Sequence, residues 1–343
     1  MNKIDSAGTL ADVAREANVA VGTVSRVMNG YENVEESLRR RVILAGRKLG
    51  FVPKLRRRHV AIIDGRQSPG LPVGYVSVMT SLISKIALSR DIGVEVLDIE
   101  QIDEIGECHI DAAIGVVFDD RILELLEYPS LPVVTINHPM TDKGIHSVYT
   151  DHHWQGYAAS KHLIERGHER IAFLAIEPDE WGARQRHTGY QKALEEAGIP
   201  YDETLVRYSI RDPAYDILGR WLRRDVTAIL NFSEDSALET LHIISNVFGL
   251  RIGDEISTIS LEDLPIYQFM TPPQTVIRQP MYKLAEAAVN TVLGTEPSKG
   301  STTYVPPADP VDCCLESELI ERDSVADLRR AEQEPGVPAE ERS

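Results

Sequence analysis

Residues 9–30, TLADVAREANVAVGTVSRVMNG, constrain this chain more than any other stretch. Their apolar positions fall at helical spacing in two short runs, first Leu10, Val13, Ala14 and Ala17, then Val24, Val27 and Met28. Asn18 and Val19 lie between the runs, room only for a tight turn, and Val19 is apolar enough to plug the angle between two crossed helices. The pattern predicts a helix-turn-helix. Thr9 is placed to cap the first helix, and Asp12, three residues on, to complete a loose capping box. With the second stripe buried, Val21, Gly22, Thr23, Ser25, Arg26 and Asn29 face outward. Short hydroxyls, an amide and an arginine at the start of an exposed helix suit phosphates and base edges in a DNA major groove. The rival reading is a small helical subdomain with a solvated face.

DVAREA at 12–17 and GTVSRVMNG at 22–30 resemble the DNA-binding headpiece of the LacI/GalR repressors. The likeness continues through a third helix and most of the C-terminal region, so it covers nearly the whole chain. It departs at Ala20, where the family has a serine capping the recognition helix. The resemblance implies an all-α helix-turn-helix headpiece followed by α/β, in two doubly wound parallel-sheet lobes of the periplasmic-binding-protein type. It also implies three partners: double-stranded DNA with a palindromic operator, a small-molecule effector, and a second copy of the chain in a homodimer.

A net charge of −17 is at odds with DNA binding until it is divided along the chain. Residues 1–58 hold twelve Lys and Arg against six acids, a net +6, which leaves −23 for the remainder. A basic head on an acidic body binds DNA while the body is repelled, and this orients the encounter. No apolar stretch approaches the roughly 20 residues that cross a membrane, and the N-terminus has no signal-peptide core. Cys108, Cys313 and Cys314 are too few and too badly spaced for a disulfide framework or a zinc site, which points to a reduced, cytoplasmic protein. Cys313 and Cys314 are adjacent on a segment that reads as a strand, so they face opposite sides.

The headpiece is expected to occupy residues 1–53, with a third helix over about 35–49 burying Leu38, Val42, Ala45 and Leu49 and capped by Gly50. In the resembled family a short hinge helix follows, and its leucine opens the minor groove. Here only KLRRRH, residues 54–59, precedes the first body strand, a reach of at most about 20 Å. That leaves no room for a hinge helix. Leu55 could still act as the wedge. The favoured reading has Arg56, Arg57 and Arg58 tracking phosphates or entering a narrow minor groove, against the alternative of a merely solvated basic linker.

From residue 60 short β-branched runs alternate with helical periods. Strands are expected at 60–63, 94–97, 112–117 and 133–136 in one lobe, and at 171–175, 228–230 and 258–260 in the other. Amphipathic helices over 157–166, 186–197 and 236–248 lie among them, the pattern of parallel sheets covered on both faces. The two-lobed body spans 60–322, lobe 1 being about 60–152 and 280–306 and lobe 2 about 153–279 and 307–322. Residues 323–343, polar and acidic, are expected to be disordered.

Ligands of doubly wound lobes bind in a crevice at the carboxyl ends of strands. Polar residues stand at several such ends: Asp64, Asn137, Glu234, Glu262 and Gln279, with Arg186 opening a helix. Carboxylates, amides and an arginine suit a neutral polyhydroxylated ligand, whose hydroxyls both donate and accept. By the resemblance, Asn137, Arg186, Glu262 and Gln279 are effector contacts. Glu234 and Glu262 stand where the family has aspartates, which argues against a common hexose. Glu234 is equally explained as an acid favourable to a helix start. Trp181 offers a ring to stack on a sugar or purine, or serves only to pack a loop; both readings stay open.

The adjacent pair His152-His153 has no third ligand at useful spacing, so no metal is expected. No nucleophile–base pair or phosphate loop is present in the sequence, and neither an enzymatic activity nor a cofactor is expected. The sequence reading is a ligand-responsive, DNA-binding transcription regulator, a repressor by its resemblance, with a carbohydrate effector held between the lobes. Its rivals are a purine-responsive regulator of the same architecture and a sugar-binding receptor without gene control.

Overall fold

The structure, a computed structural model, describes residues 8–28, 34–51, 58–65, 74–106, 110–175, 181–208, 213–294, 307 and 309–329. Three helices open it: α1 (Leu10–Glu16), α2 (Val21–Met28) and α3 (Glu36–Lys48). Thr9 caps α1 in a full capping box, its hydroxyl accepting from the Asp12 N–H while the Asp12 carboxylate accepts from the Thr9 N–H at 3.0 Å. The hydrogen bonds that the Thr9 hydroxyl and then the Thr9 N–H donate to it hold the Asp12 carboxyl below its ordinary value. The turn into α2 closes on Asn18 at φ 52°, a left-handed conformation that asparagine tolerates.

Val13, Ala14, Ala17, Val24, Val27 and Met28 share one core with Val42, Ile43 and Ala45, and Val19 packs at its edge. Leu10 corrects the predicted stripe, for it is 37% exposed. It is the first residue of α1, where side chains tilt back towards the helix start and have no preceding turn to pack on. Gly50, at φ 60°, ends α3 as expected. Arg47, in the last turn of α3, ties the headpiece to the body of the same unit. Its Nη2 donates to the carbonyls of Ile105 and Ile110 at 2.9 and 3.0 Å, and its guanidinium lies 5.7 Å from the centre of the Tyr128 ring.

The chain divides into two compact units, Met1–Tyr149 with Met281–Cys314, and Thr150–Pro280 with Leu315–Ser343. The sequence reading placed the last passage near residue 306; by this division it follows Cys314. In the first unit β1 (His59–Asp64), β2 (Gly93–Asp98), β3 (Ala112–Val116), β4 (Val133–Ile136) and β5 (His146–Thr150) run parallel in the order β5-β4-β3-β1-β2. β11 (Asp312–Leu315) takes the edge beside β5, with Cys313 half-buried and Cys314 exposed. Ala61, Ile63 and Ala113 face one apolar layer, while α4 (Tyr75–Ser89) and α9 (Met281–Leu293), neither anticipated, pack together against the sheet.

The second unit repeats the plan in the order β12-β10-β9-β8-β6-β7. Its strands are β6 (Ile171–Ala175), β7 (Val206–Tyr208), β8 (Ala228–Asn231), β9 (Ser257–Ser260), β10 (Thr275–Arg278) and β12 (Glu318–Ile320). Only β12 is antiparallel to its neighbour. Along β6 the side chains alternate: Ile171, Phe173 and Ala175 meet α5 (His152–Glu165) and α6 (Trp181–Glu196), while Ala172 and Leu174 meet α7 (Ala214–Leu222) and α8 (Glu234–His242). Both faces are covered, as the apolar strand runs require.

α5 and α6 cross with backbones almost touching. A Cβ on Gly156 would sit 1.9 Å from the Arg186 carbonyl oxygen, and one on Gly189 2.0 Å from that of His153. This crossing sets how deep Arg186 lies.

The expectation of a disordered tail from residue 323 is corrected as far as residue 329. Ser324 is wholly buried; its hydroxyl donates to the Thr258 carbonyl at 2.7 Å and accepts from the Thr275 N–H at 2.9 Å. Leu328 N–H donates to the Arg166 carbonyl. Polar composition reads as disorder when these side chains find no partners, and here they satisfy backbone groups at strand starts. His168 fastens the same segment. Its Nε2 lies 3.2 Å from the Ala326 carbonyl, which can only accept, so the proton is assigned to Nε2 and Nδ1 accepts from Thr227 at 3.0 Å.

Two outcomes follow from this packing. Gly156→Ala will push α5 off α6 and cost on the order of 1–3 kcal/mol or more in urea unfolding, where the exposed Gly22, with open space around it, tolerates a methyl group. Burial pushes His168 down to about 4, against about 6.5 when unfolded, so the unfolded chain binds more protons between those values. The stability gained by keeping this ring neutral is present above pH 6.5 and is lost as pH falls towards 4. His168→Gln will therefore make the slope of unfolding free energy against pH shallower by about one proton in that window.

Candidate DNA-reading helix and effector site

Val24, Val27 and Met28 anchor α2 in the headpiece core and leave the opposite face open. Val21, Gly22 and Arg26 are exposed there, with Thr23 and Ser25 half-buried beside them. This is the face the sequence assigned to DNA. Thr9 is exposed too, but its hydroxyl is spent on Asp12, donating to the carboxylate at 2.6 Å. α2 starts on the carbonyl of Ala20, which has no side-chain oxygen to cap it. Asn29, Leu55, Arg56 and Arg57 lie outside the described residues. Arg58 does not reach outward as the linker reading expected. Its guanidinium donates to the Leu293 carbonyl at 2.7 Å, at the C-terminal end of α9, where helix carbonyls lack partners and the dipole favours a cation.

In the second unit the predicted polar residues converge. Arg186, from the first turns of α6, is 1% exposed and cannot shed its charge. Its Nε donates to Gln155 Oε1 at 2.8 Å, Nη1 to the Phe232 carbonyl at 2.9 Å, and Nη2 to Glu262 Oε1. Gln279 Nε2 donates to both Glu262 oxygens, at 2.8 and 2.9 Å. Thr150 Oγ1 donates to Gln279 Oε1 at 2.8 Å and accepts from Gln155 Nε2 at 2.9 Å. The five side chains thus close a ring, Arg186–Glu262–Gln279–Thr150–Gln155 and back to Arg186. Phe232 lays its ring 4.7 Å from the Arg186 guanidinium carbon, and Ser317 Oγ takes the second proton of Gln155.

The strand order explains the convergence. Phe232 follows β8, Glu262 follows β9 and Gln279 follows β10, all at carboxyl ends of adjacent parallel strands. Burial, opposed by the Arg186 charge and helped by that of Glu234, holds the Glu262 carboxyl above its ordinary value. Glu234 is the first residue of α8, capped by Ser233 rather than by itself, and half-buried. Trp181, the first residue of α6, packs on His152 with ring centres 5.0 Å apart.

Asp64 and Asn137 belong to the first unit, at the carboxyl ends of β1 and β4. Asn137 is 1% exposed, holds φ 54° and donates from Nδ2 to the Tyr75 hydroxyl at 2.8 Å. Tyr75, Phe118 and His138 form a chain of ring contacts beside it. Sequence reasoning missed Thr150, Gln155 and Tyr75. The available signal was a polar residue at the end of a buried strand for Thr150, and in the first turns of a helix for Gln155 and Tyr75.

Among the described residues no group of histidine, cysteine and carboxylate side chains could hold a metal, and no helix is long and apolar enough to cross a membrane.

Comparison with known proteins agrees at both ends of the chain. Residues 9–54 match the bacterial regulatory proteins, lacI family, and residues 160–325 match the periplasmic binding protein-like domain. The HTH-type transcriptional regulator CelR of Thermobifida fusca is 27% identical over 344 residues, covering 92% of this chain and 98% of CelR. The HTH-type transcriptional repressor PurR of Photobacterium profundum is 26% identical over 352 residues, 93% of this chain and 99% of PurR. A solved CelR–cellobiose complex, 28% identical, has a TM-score of 0.64 over 92% of this chain and 99% of its own. The lac repressor dimer bound to operator and the anti-inducer ONPF, 21% identical, shares the fold at a TM-score of 0.64, covering 94% of this chain and 100% of its own.

The chain belongs to the lacI family of bacterial transcriptional regulators. It is a DNA-binding regulator rather than an enzyme, with the small helical headpiece and two-sheet body of its relatives. For this LacI-family regulator the face of α2 yields a direct outcome. Arg26→Ala will lower affinity by roughly 1–3 kcal/mol per half-site for duplexes that the wild-type protein selects from a random pool. Gel-shift titrations check this, and an unchanged preference among those duplexes removes Arg26 from the reading face.

Proposed function

We propose that this regulator acts in the cytoplasm as a homodimer on a palindromic operator, with an affinity set by a small polyhydroxylated effector, a sugar or sugar derivative. One recognition helix reads few base pairs, so a two-fold pair of headpieces is needed for a specific site. Val21, Gly22, Thr23, Ser25 and Arg26 are assigned to the operator. Arg186, Glu262 and Gln279 are assigned to the effector, with Glu234 and Trp181 beside them in the second unit and Asp64 and Asn137 in the first.

The closed hydrogen-bond ring around Arg186 carries this reading. It fixes a carboxylate and an amide at strand ends, and a second amide on α5, without using every lone pair of Glu262, and a polyol both donates to and accepts from such planar groups. The similarity to CelR, solved with cellobiose, supports a sugar. The similarity to PurR, together with Trp181 as a stacking ring, supports the second reading, a purine. In either case the effector acts by linkage: it shifts the population between arrangements of differing operator affinity by its own difference in affinity for them.

D-glucose, D-ribose, cellobiose, D-gluconate and hypoxanthine, screened by thermal shift and calorimetry, test the assignment. A bound effector raises the melting temperature because it binds only the folded state. Glu262→Gln and Arg186→Lys will each weaken the responding sugar at least tenfold, since neither replacement can rebuild the charged fork between Arg186 and Glu262. Full affinity in both variants moves the site elsewhere, and a response to hypoxanthine alone replaces sugar by purine.

A further inference from the structure

His152 is the one buried histidine of the second unit whose two ring nitrogens both lack a hydrogen-bond partner among the described residues. It is 4% exposed. By contrast, His168 meets Thr227, Ala326 and Ser257, and His162 meets Arg166. Leaving a buried donor or acceptor unpaired costs about 1–3 kcal/mol each, and a phenylalanine in the same place would avoid that cost.

The position of His152 is fixed. Asp151 caps α5 by accepting the Trp154 N–H at 2.9 Å, which sets His152 as the first helical residue. Thr150 lies two residues before it and Gln155 three after, and both are members of the Arg186 ring. The Trp181 indole lies against the imidazole at 5.0 Å, tilted 42°. Burial first, and then the positive charge of Arg186, hold the imidazole well below its ordinary value, so it is neutral and offers one N–H and one lone pair.

We propose that His152 and Trp181 form the specificity wall of the effector site, the imidazole exchanging a hydrogen bond with a ring hydroxyl of a carbohydrate and the indole stacking on its apolar C–H face. The inference rests on reading the Arg186 ring as the effector site. A hydroxyl fits because it donates and accepts, and so satisfies whichever nitrogen meets it. A charged ligand fits poorly, because the imidazole brings no charge and Arg186 is already matched by Glu262. The neighbouring His153, on the outer side of the same turn, takes no part.

The test uses the full-length protein and the sugars already named, with wild type, His152→Phe, His152→Gln, Trp181→Leu and Glu262→Gln compared by calorimetry. His152→Phe is expected to melt no lower than wild type, because it removes two unpaired buried nitrogens, yet to bind the responding sugar at least tenfold more weakly. His152→Gln, which keeps a donor and an acceptor, is expected to recover binding to within about threefold. Trp181→Leu is expected to lose at least fivefold. If His152→Phe binds as wild type while Glu262→Gln is weakened, His152 is only a packing residue and the inference falls while the effector site stands. If no sugar binds wild type, or Glu262→Gln binds normally, the site itself is misassigned and the inference falls with it. Should His152→Phe not fold, long-range proton–nitrogen NMR of the wild-type imidazole decides: ring-nitrogen signals displaced by the sugar support the contact, and unmoved signals overturn it.

Discussion

A buried guanidinium cannot lose its proton, so whatever surrounds Arg186 must supply acceptors in the directions its fork dictates. Three acceptors do so, a carboxylate, a side-chain amide and a main-chain carbonyl, each from a different part of the second unit. The demand propagates outward. Glu262 needs Gln279 to share its charge, Gln279 needs Thr150 to hold its amide the right way round, and Thr150 needs Gln155 to complete the circuit. Removing one member leaves a neighbour desolvated without a partner, which is costlier than the bond itself. The polar ends of three strands and two helices are in this way locked into one geometry, the condition for a site that discriminates ligands.

The depth of Arg186 is in turn a packing fact. Gly156 and Gly189 let the backbones of α5 and α6 touch, and the touching points are the carbonyls of Arg186 and His153. A methyl group at either place would separate the helices by more than the tolerance of a hydrogen-bonded ring. The glycines therefore serve the site although neither contributes a polar atom. His152, with both ring nitrogens unpartnered among the described residues, lies at the start of α5 against the Trp181 ring at the start of α6.

The headpiece obeys a different logic. It is small and basic, and its core is a handful of aliphatic residues from three short helices. Arg47 attaches it to the body through two backbone carbonyls and the Tyr128 ring. Arg58 is likewise committed to a main-chain carbonyl of the first unit, so basic residues of the head also serve to join it to the body.

What the sequence determined by itself was everything governed by local spacing. The helix-turn-helix, its cap at Thr9 and its buried Val24, Val27 and Met28 follow from contacts three and four residues apart, and the apolar strand runs announced two parallel sheets covered on both faces. Glu262 and Gln279 were legible because strand ends are marked by the change from apolar to polar, and Arg186 because it is a charged residue near the start of a helix. Tertiary structure alone decided the rest. Thr150 looks like an ordinary strand-end residue and Gln155 like an ordinary helix residue until partners 129 and 31 positions away, respectively, close the ring, Arg58 was basic and linker-like until α9 offered its last carbonyl, and Ser324 read as tail until Thr258 and Thr275 presented unpaired backbone groups. Pattern gives a residue its face, but only the fold gives a polar atom its partner, because hydrogen bonds between distant segments leave no period in the sequence.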